Sequence, residues 1–398
     1  MKLVMITTYA TPRNMRRELL EFIRARGHEV TVVAPGDEAE MSSALASFGA
    51  RFRRWDVQRT RIAPSSDLRA ARDLYSILRE ERPDVVFLYQ IKAVLLGPVT
   101  ARLARVPRVV VLVNGLGSVF DEEGYGATWQ ARIARRAYAL SLRGVDTIVF
   151  QNPDDPEHLR SRSLLPADAH WTVVPGSGVD LSRFAPRSTA PEIPTFTLIS
   201  RLLVSKGIRD FAEAARRLRG EQAARFRIVG QLEDPNHPDA VTRDELEQWV
   251  RDGLVEYRSF TDDIPAVLTD TTVFVLPSYY REGVPRTNLE ALAMGLPVVT
   301  CDSVGCRETV VDGVNGFLVP PRDPATLAER LRRYVRQESL VAEHGRASRA
   351  LAEQVFAMQT INAQMLTALG LERDASVPSG GEGAPSKPAG SAARSSDR

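Results

Sequence analysis

The chain has 398 residues, with 52 lysines and arginines against 50 aspartates and glutamates, and a formal net charge of +2. This length predicts two domains, each large enough for its own hydrophobic core. The near balance of charge argues against bulk binding of nucleic acid. The apolar runs are too short for a transmembrane helix, and the first residues are typical of a strand rather than a signal peptide. We therefore expect a cytoplasmic protein.

Short apolar strands alternate with helical segments in the first half of the chain. The predicted strands are 2–7, 29–34, 84–89, 108–114 and 146–151, and the predicted helices are 15–26, 66–81 and 128–143. Such alternation predicts a mostly parallel sheet with helices on both faces. The first half of the chain is therefore predicted to form a doubly wound α/β domain.

The same pattern starts again after residue 175. The predicted strands are 196–200, 225–229, 254–258, 272–276 and 297–301, and the predicted helices are 207–219, 244–251 and 287–295. We predict an N-terminal domain over 1–172, a second domain over 173–345 and a helical segment over 346–371 that packs on the domains. Residues 372–398 are rich in Ser, Gly, Pro and Ala, a composition that predicts a disordered tail.

Two Rossmann-like domains in series suggest a dehydrogenase, but the first strand-turn-helix argues against one. A dinucleotide site needs Gly-x-Gly-x-x-Gly at this turn, because glycines allow the tight turn and the close approach of pyrophosphate. The turn instead contains Thr7-Thr8-Tyr9-Ala10-Thr11-Pro12. The first turn of the second domain is no Walker P-loop either. It carries two cations, Arg201 and Lys206, which suit a diphosphate between a strand and a helix.

A second candidate ligand-binding segment lies between the predicted strand 272–276 and the predicted helix 287–295. It contains Glu282 and Glu290, eight positions apart, with a small-residue loop between them. Ligands of open α/β sheets bind at the carboxyl ends of the strands. The amides and the dipole at the start of a helix favour a phosphate there. We expect an anion on the backbone amides and a sugar hydroxyl on each carboxylate.

Four segments carry a family resemblance: Gly176-Ser177-Gly178-Val179-Asp180 with Phe184, Arg201 with Lys206-Gly207, Glu282 with Glu290 in an E-x7-E arrangement, and Gly313-x-x-Gly316-Phe317-Leu318-Val319. Together they resemble the retaining glycosyltransferases of family 4, which have the GT-B fold. Segments 281–286 and 302–308 are most similar to the bacterial branch that elongates polyprenyl-diphosphate-linked glycans for capsule, O-antigen and N-glycan assembly.

The resemblance implies a role for each matching position. Arg201 and Lys206 would bind the donor diphosphate and stabilise the leaving group, and Glu282 would lie beside the transferred sugar. Glu290 would accept hydrogen bonds from the ribose. The remaining donor-binding positions would be Gly283, Val284, Pro285, Arg286 and Thr287. No Asp-x-Asp motif is present, so the resemblance implies no metal and no other cofactor.

The loop after the predicted strand 108–114 departs from the wider family, in which a histidine often lies near the donor sugar. It contains Asn114, Gly115 and Gly117. The glycines would leave room for donor or acceptor, and Asn114 would offer a hydrogen bond. A tight turn that requires glycine explains the same residues equally well.

The resemblance implies transfer of a sugar from a nucleotide-diphosphate donor, which we expect to be a UDP-sugar, to a lipid-linked glycan. The alternative is a GT-B sugar-nucleotide epimerase, or another nucleotide-sugar-binding enzyme, without a glycan acceptor. Residues 51–108 hold 13 basic and 6 acidic side chains, which suits either a solvated surface or approach to an anionic membrane. Residues 128–143 combine apolar and basic side chains; such a stripe is more often core, but it can also lie at a membrane interface.

Overall fold

The computed structural model describes residues 1–9, 11, 16–58, 64–120, 126, 128–186, 191–220 and 223–371. The predicted disordered tail, 372–398, lies outside these residues. The described chain forms two parallel sheets, one of seven strands and one of six, each with helices packed on it. Two Rossmann-like domains in series, as predicted, are therefore present.

The first sheet has the strand order β3-β2-β1-β4-β5-β6-β7. Its strands are β1 (Lys2–Ile6), β2 (Glu29–Ala34), β3 (Arg51–Arg54), β4 (Val85–Tyr89), β5 (Arg108–Val113), β6 (Thr147–Phe150) and β7 (Trp171–Val173). The helices are α1 (Arg17–Arg24), α2 (Glu38–Ala46), α3 (Pro64–Glu81), α4 (Ile91–Leu103), α5 (Trp129–Ser141) and α6 (Asp154–Ser161). The central strands are continuous runs of buried residues, as expected for a parallel sheet covered on both faces.

The second sheet has the order β10-β9-β8-β11-β12-β13. Its strands are β8 (Thr195–Ile199), β9 (Arg225–Val229), β10 (Glu256–Arg258), β11 (Val273–Leu276), β12 (Val298–Cys301) and β13 (Gly316–Val319). The helices are α7 (Ile208–Leu218), α8 (Arg243–Arg251), α9 (Ile264–Thr269), α10 (Arg286–Ala293), α11 (Pro324–Arg336), α12 (Glu338–Val355) and α13 (Met358–Leu369). Strand order reverses between β8 and β11 here, and between β1 and β4 in the first sheet.

Several elements differ from the sequence prediction. The short strands β3 and β7 were not predicted, because four and three residues give too little pattern. The C-terminal helical stretch is two helices, and α12 begins before the predicted boundary at residue 345. The break lies where Met358 donates to the carbonyl oxygen of Val179 (3.0 Å).

The chain crosses between the domains twice at this point. Residues of the linker after β7 pair with the segment between α12 and α13, and α12 packs on α10 of the second domain. Helix α13 returns to the first domain, where it contacts α1 and β6 and its buried face joins the hydrophobic core of that domain. Its buried residues include Ile361, Met365, Leu366 and Leu369. The last helix thus belongs structurally to the first domain.

Candidate active site

The carboxyl ends of the two sheets face each other, and their loops touch. A Cβ placed on Gly115, after β5, would lie 2.4 Å from the amide nitrogen of Gly283, after β11. Since a real Cβ cannot approach backbone so closely, the two loops make direct main-chain contact at a position where only glycine fits. The amide of Gly117 also donates to the carbonyl oxygen of Arg281 (3.0 Å). Gly115 and Gly117 both have positive φ. The loop therefore needs glycine for its tight turn and, at Gly115, also for the close approach of the second domain.

Lys206 and Glu282 form the central ion pair of the second domain. The Lys206 Nζ lies 2.6 Å from Oε1 of Glu282, and the Oγ of Ser278 donates to the same oxygen at 2.9 Å. The side chains are 10% and 18% exposed, so the pair borders the cleft without being freely solvated. The carboxylate therefore has a fixed position at the carboxyl ends of β8 and β11, the switch point of this sheet.

The loop before Glu282 is tied to the turn that carries Lys206. The amides of Tyr279 and Tyr280 both donate to the carbonyl oxygen of Ser205, at 2.9 and 3.1 Å. The ring of Tyr280 lies below the ammonium group of Lys206, 5.3 Å from Nζ to the ring centroid. These backbone and side-chain contacts thus fix the positions of the two loops relative to each other.

Glu290 lies on the first turns of α10 and is almost fully buried. Burial raises the pKa of its carboxyl group, although the charge of Arg286 opposes that shift. The Nε of Arg286 donates to Glu290 at 3.0 Å, and Arg286 also reaches Glu18 of the first domain at 3.4 Å. Each glutamate of the E-x7-E segment thus has its own cation.

Arg201 has a carboxylate partner outside the E-x7-E segment. Its guanidinium is half-exposed and donates to Glu233 at 3.1 Å. Lys206 and Arg201 therefore share a turn but have different carboxylate partners. On the other domain, the Oδ1 of Asn114 accepts a hydrogen bond from Arg16 at 3.3 Å, so its side chain is turned toward its own domain.

The remaining predicted donor positions form the entry to α10. Val284 is buried and packs against Gly176 of the linker, where a Cβ would meet it at 3.2 Å. Pro285 is the N-cap, and its carbonyl oxygen accepts from the amides of Asn288 and Leu289. Arg286 and Thr287 follow at the first helical positions, whose amides have no partner within a helix. These amides are available to an anion.

Comparison with known proteins gives matches to both halves of the chain. The family model "Glycosyl transferase 4-like domain" matches residues 11–176, and "Glycosyl transferases group 1" matches residues 193–337. The chain belongs to the family-4 glycosyltransferases. The predicted GT-B fold and the predicted glycosyltransferase family are thereby confirmed.

Two curated bacterial relatives act on lipid-linked sugars, by their names. One is N,N'-diacetylbacillosaminyl-diphospho-undecaprenol alpha-1,3-N-acetylgalactosaminyltransferase of Campylobacter jejuni, 26% identical over 82% of this chain and 87% of the relative. The other is UDP-Gal:alpha-D-GlcNAc-diphosphoundecaprenol alpha-1,3-galactosyltransferase of Escherichia coli, 29% identical over 65% and 67%. Among solved structures, Anabaena Alr3699/HepE in complex with UDP is similar in fold, with a TM-score of 0.76, 19% identity and coverage of 94% and 100%.

The glycosyltransferase buries both cysteines. Cys301 lies in β12 and Cys306 close to the Glu282 loop, and neither forms a disulfide. Burial raises the pKa of the Cys306 thiol to about 11, and the negative charge of Glu282 adds to the shift. Both cysteines are therefore packed residues of the interior.

The part of the glycosyltransferase that the structure describes contains neither a metal-ligand cluster nor a membrane-spanning helix. Within that part, no three His, Cys, Asp or Glu side chains are grouped as a metal site would require. Among the same residues, no helix combines the length and apolar character needed to cross a bilayer.

Sequence reasoning missed the first-domain residues that contact the Glu282 loop. A Cβ on Gly283 would lie 2.0 Å from Oε1 of Gln151. Arg281 pairs with Asp155, and Arg307 pairs with Asp154, both at 3.1 Å. Acidic residues in the first turn of a helix usually serve only its dipole, so nothing in the local sequence singles out Asp154 and Asp155.

Proposed function

We propose that this glycosyltransferase retains anomeric configuration, needs no metal, and transfers a sugar from a nucleotide diphosphate to a glycan on polyprenyl diphosphate. The observation that carries the proposal is the Lys206–Glu282 pair at the β8/β11 switch point, next to the amino end of α10. A cation, a fixed carboxylate and unpaired helix amides at one position suit the diphosphate and the sugar of such a donor.

The donor would be bound mainly by the second domain. Lys206, Arg201 and the first amides of α10 would contact the diphosphate, and Glu290 would accept from the ribose hydroxyls. Ribose binding at Glu290 requires Arg286 to share or release its present hydrogen bond. Because these cations and the helix dipole can neutralise the diphosphate, the leaving group needs no divalent ion.

Retention would follow front-face substitution, in which the leaving phosphate takes the proton of the acceptor hydroxyl. Glu282 is already bonded to Lys206 and Ser278, which suits a carboxylate that positions the sugar better than a free nucleophile. Measurable activity in Glu282→Gln supports this assignment, whereas a glycosyl-enzyme adduct contradicts it. Two carboxylates that perform double displacement are an arrangement of glycosidases.

UDP is the carrier we propose, since the name of the Escherichia coli relative contains UDP-Gal and the similar Anabaena structure holds UDP. A thermal-shift panel of UDP, GDP and ADP tests this choice. A nucleotide at 100 times its dissociation constant stabilises the fold by about 2.7 kcal/mol. If only GDP or ADP stabilises the protein, that nucleotide replaces UDP as the proposed carrier. If no nucleotide raises the melting temperature, the result contradicts nucleotide-sugar binding.

The acceptor follows from the names of the two relatives, both of which contain diphospho-undecaprenol sugars. The deciding experiment measures release of nucleoside diphosphate with and without a lipid-diphosphate-linked glycan. We expect release that depends on the acceptor. An epimerase would instead interconvert the free nucleotide sugar and ignore the glycan.

We further propose that the first domain approaches an anionic membrane through α5, at the cytoplasmic surface. Trp129, Ile133 and Leu140 are exposed on this helix, while its opposite face is buried. Helix α4, which packs against α5, adds exposed Val99 and Leu103. Isolated exposed apolar residues are ordinary, but several on one pair of helices suit an interface.

Unpaired arginines accompany this apolar face. A cavity of about 950 Å³ beside α5 is bordered by Arg136, Arg143 and Arg160, together with apolar side chains. These three guanidinium groups make no ion pair or hydrogen bond within the described ranges. By contrast, Arg51, Arg53, Lys92 and Arg102 of the basic segment 51–108 each pair with a carboxylate. The surface around α5 therefore supports membrane contact better than the basic segment 51–108 does.

Co-sedimentation with vesicles tests the membrane contact. We expect binding to anionic but not to neutral vesicles at low salt, and weaker binding of Ile133→Ser. Val250→Ser, which changes an exposed residue of the second domain, is the matched control. Equal binding by both variants, or none by the wild type, contradicts the proposal.

A further inference from the structure

The first turn of α6 reaches across the cleft with two consecutive carboxylates. Asp155 accepts a hydrogen bond from Nη2 of Arg281, and Asp154 accepts one from Nη1 of Arg307, both at 3.1 Å. Both arginines belong to loops of the second domain. Two side chains of one helical turn therefore connect the first domain to two separate loops of the other.

Only one of these pairs is buried. The Asp155 side chain is 0% exposed and Arg281 is 16% exposed, whereas Asp154 and Arg307 are 35% and 38% exposed. Exposed ion pairs contribute little, because water screens them. Removing one partner of a buried pair is costly, because the other charge stays buried without compensation. The Asp155–Arg281 pair is therefore the stronger constraint.

Asp155 is held in place by its own domain. Its backbone amide donates to Oδ1 of Asn152 at 2.9 Å, and the Nδ2 of Asn152 donates back to Asp155 at 3.0 Å. Burial raises the pKa of Asp155, with the Asn152 hydrogen bond and the charge of Arg281 acting in the opposite direction. Because the Asp155 carboxylate is fixed, it also fixes the position of the Arg281 guanidinium that donates to it.

Arg281 immediately precedes Glu282, so a constraint on the first residue acts on the second. The carbonyl oxygen of Arg281 also accepts the amide of Gly117 from the first domain. On the other side, Gly283 lies against Gln151 and the carbonyl oxygen of Asn114. The first domain thus contacts the residues on both sides of Glu282, and Lys206 of the second domain binds the carboxylate of Glu282.

We propose that Asp155 is a positioning residue for Glu282 and acts through Arg281 across the cleft. This inference rests on the proposed role of Glu282 beside the transferred sugar. Donor binding, which involves Lys206, Arg201 and Glu290 of the second domain, needs no contribution from Asp155. Transfer depends on where Glu282 holds the sugar, and the Asp155–Arg281 pair fixes the residue next to Glu282.

The test compares Asp155→Asn with Asp154→Asn, a neighbouring variant that loses the exposed pair. We expect kcat of Asp155→Asn to fall about 100-fold, the scale of a misplaced catalytic geometry. The dissociation constant of UDP should change less than about threefold, since the loss occurs after donor binding. Asp154→Asn should keep kcat within about threefold of the wild type. Equal kcat in the two variants overturns the inference.

A double-mutant cycle separates positioning from a general structural role. If Asp155 acts through Glu282, adding Asp155→Asn to Glu282→Gln should lower kcat far less than it does in the wild type. The full 100-fold loss in both backgrounds contradicts the inference. Should Asp155→Asn fail to fold, Arg281→Lys serves instead, because it keeps the charge but loses the planar fork.

The wild type distinguishes failure of this inference from failure of the proposed function. Wild-type enzyme that releases no nucleoside diphosphate with a lipid-linked glycan contradicts the proposed function itself. Wild-type enzyme that transfers normally, beside an equally active Asp155→Asn, leaves the function standing and overturns only the role of Asp155.

Discussion

Two buried carboxylates of the first domain, Glu81 and Asp155, have opposite pKa shifts. Burial raises the pKa of Glu81, but the hydrogen bond from Lys2 and the charges of Arg51 and Arg53 outweigh it, and the net shift is downward. Burial also raises the pKa of Asp155, and there the partners do not overcome it. Deeper burial with a single cation partner raises the pKa of Asp155, whereas three cations outweigh burial at Glu81.

Their positions in the fold explain the difference. Glu81 ends α3 and contacts Lys2 and Arg51, at the starts of β1 and β3, on the side away from the cleft. All of its partners belong to its own domain. Asp155 lies at the carboxyl end of the same sheet, and its cation comes from the other domain. The Glu81 cluster has all its cations in one domain and therefore serves stability. Asp155 takes its cation from the other domain, which suits a residue that acts in sugar transfer.

Substituting Gly283 with alanine should produce the largest effect and act on the cleft alone. The added Cβ would lie 2.3 Å from the carbonyl oxygen of Asn114, so the two loops must separate. We expect kcat to fall about 100-fold. The free energy of unfolding should change little, because each domain keeps its core. Steady-state kinetics and urea unfolding measure the two quantities.

The control for this variant is Gly253→Ala. Gly253 has a φ of +65° and no atom within 4 Å of an added Cβ, so the substitution strains the turn without a clash. It should cost about 1 to 2 kcal/mol of stability, the cost of a left-handed conformation for a residue with a Cβ, and leave kcat unchanged. Normal activity in Gly283→Ala would mean that the contact between the loops is not needed for transfer.

Glu81→Gln should show the converse behaviour. Removing the charge weakens bonds from Lys2 and Arg51, at 2.9 and 2.8 Å, and we expect a loss of about 1.5 to 3 kcal/mol in unfolding free energy. Activity at 25 °C should persist while the protein is folded. Glu80→Gln, which affects an exposed pair with Arg53, is the matched control and should cost less. If Glu81→Gln were stable but inactive, Glu81 would serve function as Asp155 does, and the contrast between the two carboxylates would be wrong.

The smallest effect we predict is a separation in pH. The raised pKa of Asp155 means that its charge is lost, as pH falls, above the usual aspartate value of about 3.9. The lowered pKa of Glu81 gives stability that is present above about 4.3 and lost only as pH falls through its folded value. Activity should therefore decline before the fold does.

A pH–rate profile beside urea unfolding at each pH measures this separation. The acidic limb that belongs to Asp155 should be missing from the profile of Asp155→Asn. An identical limb in that variant would assign it to another group, such as Glu290, whose pKa burial also raises.

Much of the second domain could be predicted from the sequence, because its signals are local. The apolar run before Pro277 forms β11, and the stretch after Pro285 forms α10, with Gly295 just beyond its end. The resemblance implied only that Lys206 and Glu282 act on the same donor, and it predicted no bond between them. Which atoms meet, and that Arg201 bonds Glu233 instead, depends on side-chain directions that no spacing contains.

The sequence by itself determined two alternating α/β domains and the E-x7-E loop between a buried strand and a helix, because residue periodicity and helix-end signals act over a few positions. Only the tertiary structure decided that Asp155 meets Arg281 and that Gly115 meets Gly283. Those partners are separated by 126 and 168 positions, and their contact depends on how the two sheets face each other. No local pattern carries that information.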